Sequence, residues 1–168
     1  MNEGSEFHTV RGYELIAQEN KSLTSAMEDY LEMIYRNSLD TGLLRSNTLS
    51  AMLNVHPSSV SKMLQKLSRL GYVDYQKYGI IFLTEKGRAT GRFLYRRHQI
   101  VEEFLSFIAS GETPLVETEL IEHHICPETL GNIELFTRFL DENPDCVERF
   151  QAFRKSALHS PSDESSPL

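Results

Sequence analysis

The sequence predicts a mostly α-helical fold with one small β-hairpin, organised as an N-terminal winged helix-turn-helix domain followed by an all-helical domain. Three observations carry this. Three amphipathic helical stretches and then a short aromatic, β-branched run follow one another between Ser25 and Thr84. The apolar period changes from that of a helix to that of a strand at Tyr72, and back at Glu85. The charge divides in the same way: Pro57 to Arg97 holds nine Lys/Arg and two acids, a net +7, whereas His98 to Glu148 holds one base and twelve acids, a net −11. The overall charge of −7 therefore conceals two surfaces suited to different partners.

Residues 1–23 read as a polar, weakly patterned N-terminal extension. Ser25 and Glu28 have the spacing of a capping box. They open a helix whose apolar side is Met27, Tyr30, Leu31, Ile34 and Tyr35. A second helix starts at Ser46 and is expected to bury Leu49, Met52 and Leu53. After the short turn Asn54-Val55-His56, Pro57 suits the first position of a third helix. Its buried stripe is Val60, Met63, Leu64 and Leu67, and Gly71 closes it. Gly79 separates the two arms of a hairpin over Tyr72 to Thr84. These elements make a winged helix-turn-helix domain over residues 24–85. A helical domain over 86–156 opens with a long helix from Glu85 to about Ala109 and continues with helices starting at Pro114, Pro127 and Pro144. Residues 157–168 read as a disordered tail.

No apolar run approaches the ~20 residues that span a bilayer, and no basic-then-apolar leader opens the chain, so the sequence reads as cytoplasmic with no membrane partner. Cys126 and Cys146 are the two cysteines, and neither belongs to the Cys-x-x-Cys pairs of a structural zinc site.

The third helix divides its faces cleanly. With the apolar stripe turned inward, Ser58, Ser59, Ser61, Lys62, Gln65, Lys66 and Arg69 remain outside. Small hydroxyl side chains just after Pro57 let a helix approach base edges, and the basic ones neutralise phosphates. Gln76, Lys77 and Tyr78 stand near the hairpin tip, where a wing would meet the backbone or minor groove. The predicted double-stranded DNA contacts are Pro57, Ser58, Ser59, Ser61, Lys62, Gln65, Lys66, Lys77 and Tyr78. The plainer alternative is a helical domain with a lysine-rich surface.

A second constellation lies elsewhere. Glu119, Glu122 and His123 stand at i, i+3, i+4 on one helical face. Asp29 and Glu32 share a face of the first helix, nearly opposite its apolar stripe, where periodicity predicts solvent exposure. His98 and Glu102 are spaced i, i+4 on the long helix. Each piece has a plain explanation as a solvated face, and spacing does not show that the three helices meet. A di-metal carboxylate enzyme would use Glu-x-x-His pairs. The residues three before His98, His123 and His124 are Tyr95, Leu120 and Ile121, so that pattern is absent.

The segments SAMEDYLEMIY, HPSSVSKMLQKL, YQKYGIIFLTEKG, RRHQIVEEF and ELIEHH, in this order between Ser25 and Asp141, resemble the manganese transport regulator branch of the diphtheria-toxin-repressor family. The resemblance implies a homodimer whose helical domain serves dimerisation and metal binding. It implies repression of metal-ion uptake genes from a palindromic operator, with a divalent metal and no small organic ligand as co-repressor. Carried over by position, the metal ligands fall on Asp29, Glu32, His98, Glu119, Glu122 and His123, with Glu102 as an accessory group and two Mn²⁺ per subunit. The iron-sensing branch has a methionine where Asp29 stands and a cysteine where Glu119 stands. An oxygen-rich set suits Mn²⁺ better than one containing sulfur. Cys126 is out of register to replace that thiolate and borders a helix, and His124 points away from His123. The resemblance also implies that the extra C-terminal domain of the iron-sensing members is lacking. Two alternatives stay open: an Fe²⁺-responsive repressor of the same family, and a winged-helix regulator that answers to something other than metal.

Overall fold

The computed structural model describes residues 23–39, 42–108 and 114–158. The expected N-terminal extension falls outside the described residues except for Leu23, and so does the expected tail from residue 159 onward. Ala157 and Leu158 are helical rather than tail. No Gly or Pro follows Pro144 in that stretch to stop the helix. The chain divides after Tyr95 into two compact units, each with its own core.

The first unit runs through helix α1 (Ser25–Ser38), strand β1 (Leu44–Arg45), helices α2 (Ser46–Leu53) and α3 (Pro57–Arg69), strands β2 (Val73–Tyr75) and β3 (Ile80–Leu83), and the first part of helix α4 (Glu85–Ile108). Helix α1 is capped one residue earlier than the capping-box spacing predicts: Thr24 Oγ1 accepts from the backbone N–H of Met27 at 3.4 Å. Ser25 is therefore the first helical residue, and Glu28 is a buried acid of the first turn. Leu31, Ile34, Leu49, Val60, Leu64, Leu67 and Ile81 form the fully buried centre.

Met52 departs from the expected burial and is 45% exposed. The packed side of α2 is Leu49, Ser50 and Leu53, with Ser50 Oγ donating to the Val55 carbonyl at 2.6 Å. At 3.6 residues per turn Met52 lies roughly 100° from the middle of that side. The hairpin is part of a three-stranded antiparallel sheet in the order β1-β3-β2, with Leu44 opposite Ile81 and Val73 opposite Leu83. The two-residue strand β1 carries too little pattern to be read from sequence. Helix α4 lies close on α1, where a Cβ on Gly91 would come within 2.7 Å of Tyr35 Cβ. The Tyr35 and Tyr95 rings also meet, 6.1 Å apart.

The second unit holds the remainder of α4, helix α5 (Pro114–Ile121), a 3₁₀ turn (Glu122–His124), and helices α6 (Pro127–Glu142) and α7 (Pro144–Leu158). Helices α5, α6 and α7 each begin at the proline that the sequence marks as the first position. The core of this unit is Ile100, Val101 and Leu105 of α4 with Leu130 of α6, flanked by Phe104, Ile125 and Ile133. Among the described residues no helix is long and apolar enough to cross a membrane.

Candidate nucleic-acid interface and metal centre

In the first unit the two faces of α3 separate as expected. Val60, Leu64 and Leu67 are buried, while Pro57, Ser58, Ser59, Lys62, Gln65, Lys66 and Arg69 are exposed and Ser61 is half-buried. The helix enters through a residue that the sequence reading passed over as a turn. His56 is its N-cap, and its Nδ1 accepts from the Ser58 backbone N–H at 3.3 Å and lies 2.9 Å from Ser58 Oγ. Accepting at Nδ1 leaves the proton of a neutral imidazole on Nε2, so His56 adds a donor at the exposed start of this helix. Its place immediately before a helix-initiating proline was the available signal. At the wing, Gln76 is tied back to Asp74 by a 2.7 Å hydrogen bond. Lys77 is exposed, and Tyr78 is 90% exposed in a left-handed backbone conformation at φ 64°. A tyrosine held there presents its whole ring outward.

Asp29 and Glu32 do lie on α1, but the expected solvent exposure does not hold. Asp29 is half-buried and Glu32 is buried. The apolar stripe of α1 does not mark its only covered side. Glu32 forms an i, i+4 ion pair with Arg36 at 3.6 Å. Arg36 itself stacks over the Tyr95 ring.

In the second unit the histidines and carboxylates come together. His98 projects from α4, with Nδ1 2.9 Å from Glu122 Oε2 and 3.8 Å from Glu119 Oε1. The His98 and Glu122 side chains are only 3% and 1% exposed. Glu102, half-exposed, places Oε2 3.8 Å from His98 Nε2. His123 Nε2 lies 3.7 Å from Glu122 Oε1. The sequence reading set Glu119, Glu122 and His123 on one α-helix; instead α5 stops at Ile121 and the 3₁₀ turn carries Glu122 and His123. Glu119, in the last turn of α5, and Glu122, at the start of the 3₁₀ turn, still both reach His98 Nδ1. The turn ends where Cys126, the residue before Pro127, is confined to extended backbone. His124 is exposed, and Cys126 is the exposed N-cap of α6.

Arg97 was counted among the basic surface charges, and this is corrected. Its side chain is 5% exposed, 3.5 Å from Glu122 Oε1 and 3.0 Å from His123 Nδ1. It is the neighbour of His98 on a helix buried on several sides, and a pattern read by charge alone does not reveal that.

The cluster fits a divalent cation. Among the described residues Glu122 Oε1 is fully buried and accepts no hydrogen bond. A buried carboxylate oxygen without a hydrogen bond is costly, and the Arg97 guanidinium 3.5 Å away offsets that through charge alone, which leaves the oxygen's lone pairs for a cation. The surrounding donors are carboxylate oxygen and imidazole nitrogen, the set expected for a hard or borderline divalent ion.

A basic recognition helix with a wing, and a separate unit that gathers carboxylates and imidazoles, define a metal-responsive DNA-binding transcriptional regulator. The chain belongs to the iron-dependent repressor family: residues 22–81 match its N-terminal DNA-binding domain and residues 84–151 its metal-binding and dimerisation domain. It is 38% identical over 130 residues to the HTH-type transcriptional regulator MntR of Lysinibacillus sphaericus, covering 77% of this chain and 94% of that protein. The protein of the same name from Listeria welshimeri is also 38% identical, covering 77% and 92%. Among solved structures, the manganese regulator SloR superposes with a TM-score of 0.60 at 27% identity, covering 70% of this chain and 55% of that one. A manganese-dependent transcriptional repressor in complex with manganese gives 0.60 at 26% identity, covering 67% and 53%. The chain thus spans about half the length of these solved manganese regulators. The family and these relatives are regulators rather than enzymes, which removes the di-metal enzyme alternative.

Proposed function

We propose that this chain is a cytoplasmic, manganese-responsive repressor of metal-ion uptake genes that binds a palindromic operator as a homodimer. Its metal ligands in this reading are Asp29, Glu32, His98, Glu119, Glu122 and His123, holding two Mn²⁺ per subunit, with Glu102 as an accessory group. The observation that carries it is the buried His98–Glu122 pair, with Glu119 and His123 beside it. It lies in the stretch that matches the family's metal-binding domain. Manganese is favoured over iron by a donor set without sulfur and by the names of the relatives.

Bound there, a divalent cation supplies the positive charge that lets these carboxylates stay ionised side by side. Asp29 and Glu32 belong to the DNA-binding unit and Glu119 and Glu122 to the helical unit. Without that charge, Glu119 and Glu122, which both reach His98 Nδ1, repel each other at a cost on the order of a few kcal/mol. In this reading metal binding governs the operator affinity of α3, whose exposed Ser58, Ser59, Lys62, Gln65 and Lys66 face the duplex. In a dimer the two recognition helices must match half-sites one DNA turn apart, about 34 Å. A coupling of ~1–3 kcal/mol changes DNA affinity about 5- to 150-fold.

The test is operator affinity, by fluorescence anisotropy, with Mn²⁺ and with chelator, on a duplex selected from random sequence. Tight binding only with Mn²⁺ supports the proposal, and equal affinity in both rejects metal control. The family's description as iron-dependent keeps Fe²⁺ as the second reading. Parallel titration of both metals decides between them.

A further inference from the structure

We propose that Arg97 competes with metal for His123: it holds the imidazole in a state from which neither ring nitrogen can ligate until the arginine withdraws. This rests on the reading of His123 as a ligand.

A guanidinium carries donors and no acceptor. The 3.0 Å contact between the Arg97 terminal nitrogen and His123 Nδ1 therefore has one sense: arginine donates and Nδ1 accepts. A neutral imidazole that accepts at Nδ1 keeps its proton on Nε2. Neither nitrogen then offers an open lone pair, because Nδ1 is occupied by Arg97 and Nε2 by its proton. Ligation through Nδ1 breaks the arginine hydrogen bond outright. Ligation through Nε2 moves the proton from Nε2 to Nδ1, where it would face the guanidinium donor to donor, and the arginine must again leave.

His98 stands in the opposite state. Its Nδ1 lies 2.9 Å from a carboxylate oxygen of Glu122, which can only accept from it. The Nδ1 proton is thereby fixed, the arrangement in which a carboxylate orients a histidine ligand. One histidine is oriented by a carboxylate and the other is held by a guanidinium. Arg97 also stands 3.5 Å from Glu122 Oε1, so its positive charge answers the carboxylate that would otherwise draw a cation in. Both contacts are buried, where water neither screens the charge nor replaces the hydrogen bond.

The test uses the full chain and Mn²⁺ alone, titrated in competition with a fluorescent chelator. Arg97→Met keeps an apolar stem of similar length and removes both donor and charge. It is expected to bind Mn²⁺ at least about tenfold more tightly, the scale on which groups next to metal ligands act. Unchanged or weaker binding overturns the competition and makes Arg97 a supporting residue. Should this variant fail to fold, imidazole ¹⁵N spectra of the unsubstituted protein decide, with His123→Ala assigning the signal. The metal-free spectrum is expected to show a bare Nδ1 and a protonated Nε2, with that pattern lost on loading with diamagnetic Cd²⁺. A protonated Nδ1 in the metal-free protein overturns the proposal. Failure of the parent protein to bind Mn²⁺ at all would instead sink the ligand assignment beneath it.

Discussion

His98 Nδ1 and Glu122 Oε2 meet at 2.9 Å inside the helical unit, two ionisable groups on separate elements with almost no access to water. Glu122 comes from a 3₁₀ turn and His98 from the middle of a long helix, so the contact exists only once both have packed. A buried carboxylate that orients an imidazole, and whose second oxygen accepts no hydrogen bond and lies beside the Arg97 charge, is suited to a cation. Glu122→Gln keeps the shape and loses the charge. It should weaken Mn²⁺ binding about 10- to 100-fold, measured calorimetrically. Wild-type affinity would place the metal elsewhere.

In the proposed ligand set, Asp29 takes the position that the family resemblance assigns to methionine in the iron-sensing branch. Asp29→Met exchanges a hard oxygen for a soft thioether. The ratio of Mn²⁺ to Fe²⁺ affinity should fall, as read in anaerobic titrations of both metals. An unchanged ratio would remove Asp29 from the selectivity argument.

On the recognition helix, exposed Lys62 and Lys66 should act through phosphates and Gln65 through bases. Lys66→Ala should weaken binding to all duplexes alike and lower the salt slope by about 1. Gln65→Ala should cost about 1–3 kcal/mol on the preferred operator and little on others. Anisotropy titrations at several salt concentrations separate the two behaviours.

The short helix α5 leaves Leu115, Val116, Leu120 and Ile121 exposed, an apolar surface suited to the family's dimerisation role. Leu120, at 68% exposure, has little to lose within one subunit. Leu120→Glu should therefore shift sedimentation from dimer to monomer while the isolated fold melts as before. A persisting dimer would move the interface to the exposed Phe150 and Phe153 of α7.

Cys126 is exposed at the start of α6, and its thiol is held below the ordinary cysteine range, first by the side-chain hydrogen bond with Thr129 and then by the Thr129 backbone N–H. A lowered value means that the thiolate appears at lower pH. Alkylation of Cys126 by iodoacetamide should accordingly outpace that of Cys146 just below the normal thiol range, and Thr129→Val should slow it. Peptide mass spectrometry resolves both rates.

Much of the fold was legible. The α3 stripe, the prolines that open α3, α5, α6 and α7, and the hairpin around Gly79 follow from local rules that tertiary packing left standing. Strand β1 was not legible, because two residues have no period. Nor was the burial of Glu32, because the hydrophobic pattern of one helix does not reveal how many neighbours it acquires.

The order of elements, the split of charge along the chain and the kinds of donor available all follow from the residues in their linear order. Propensity, periodicity and charge are properties of neighbours along the chain. Tertiary structure decided which donors meet and in what state: His98 on Glu122, and His123 under Arg97. These contacts join residues 24 or more positions apart. Hydrogen-bond direction and burial at such distances are fixed by packing, which no local pattern encodes.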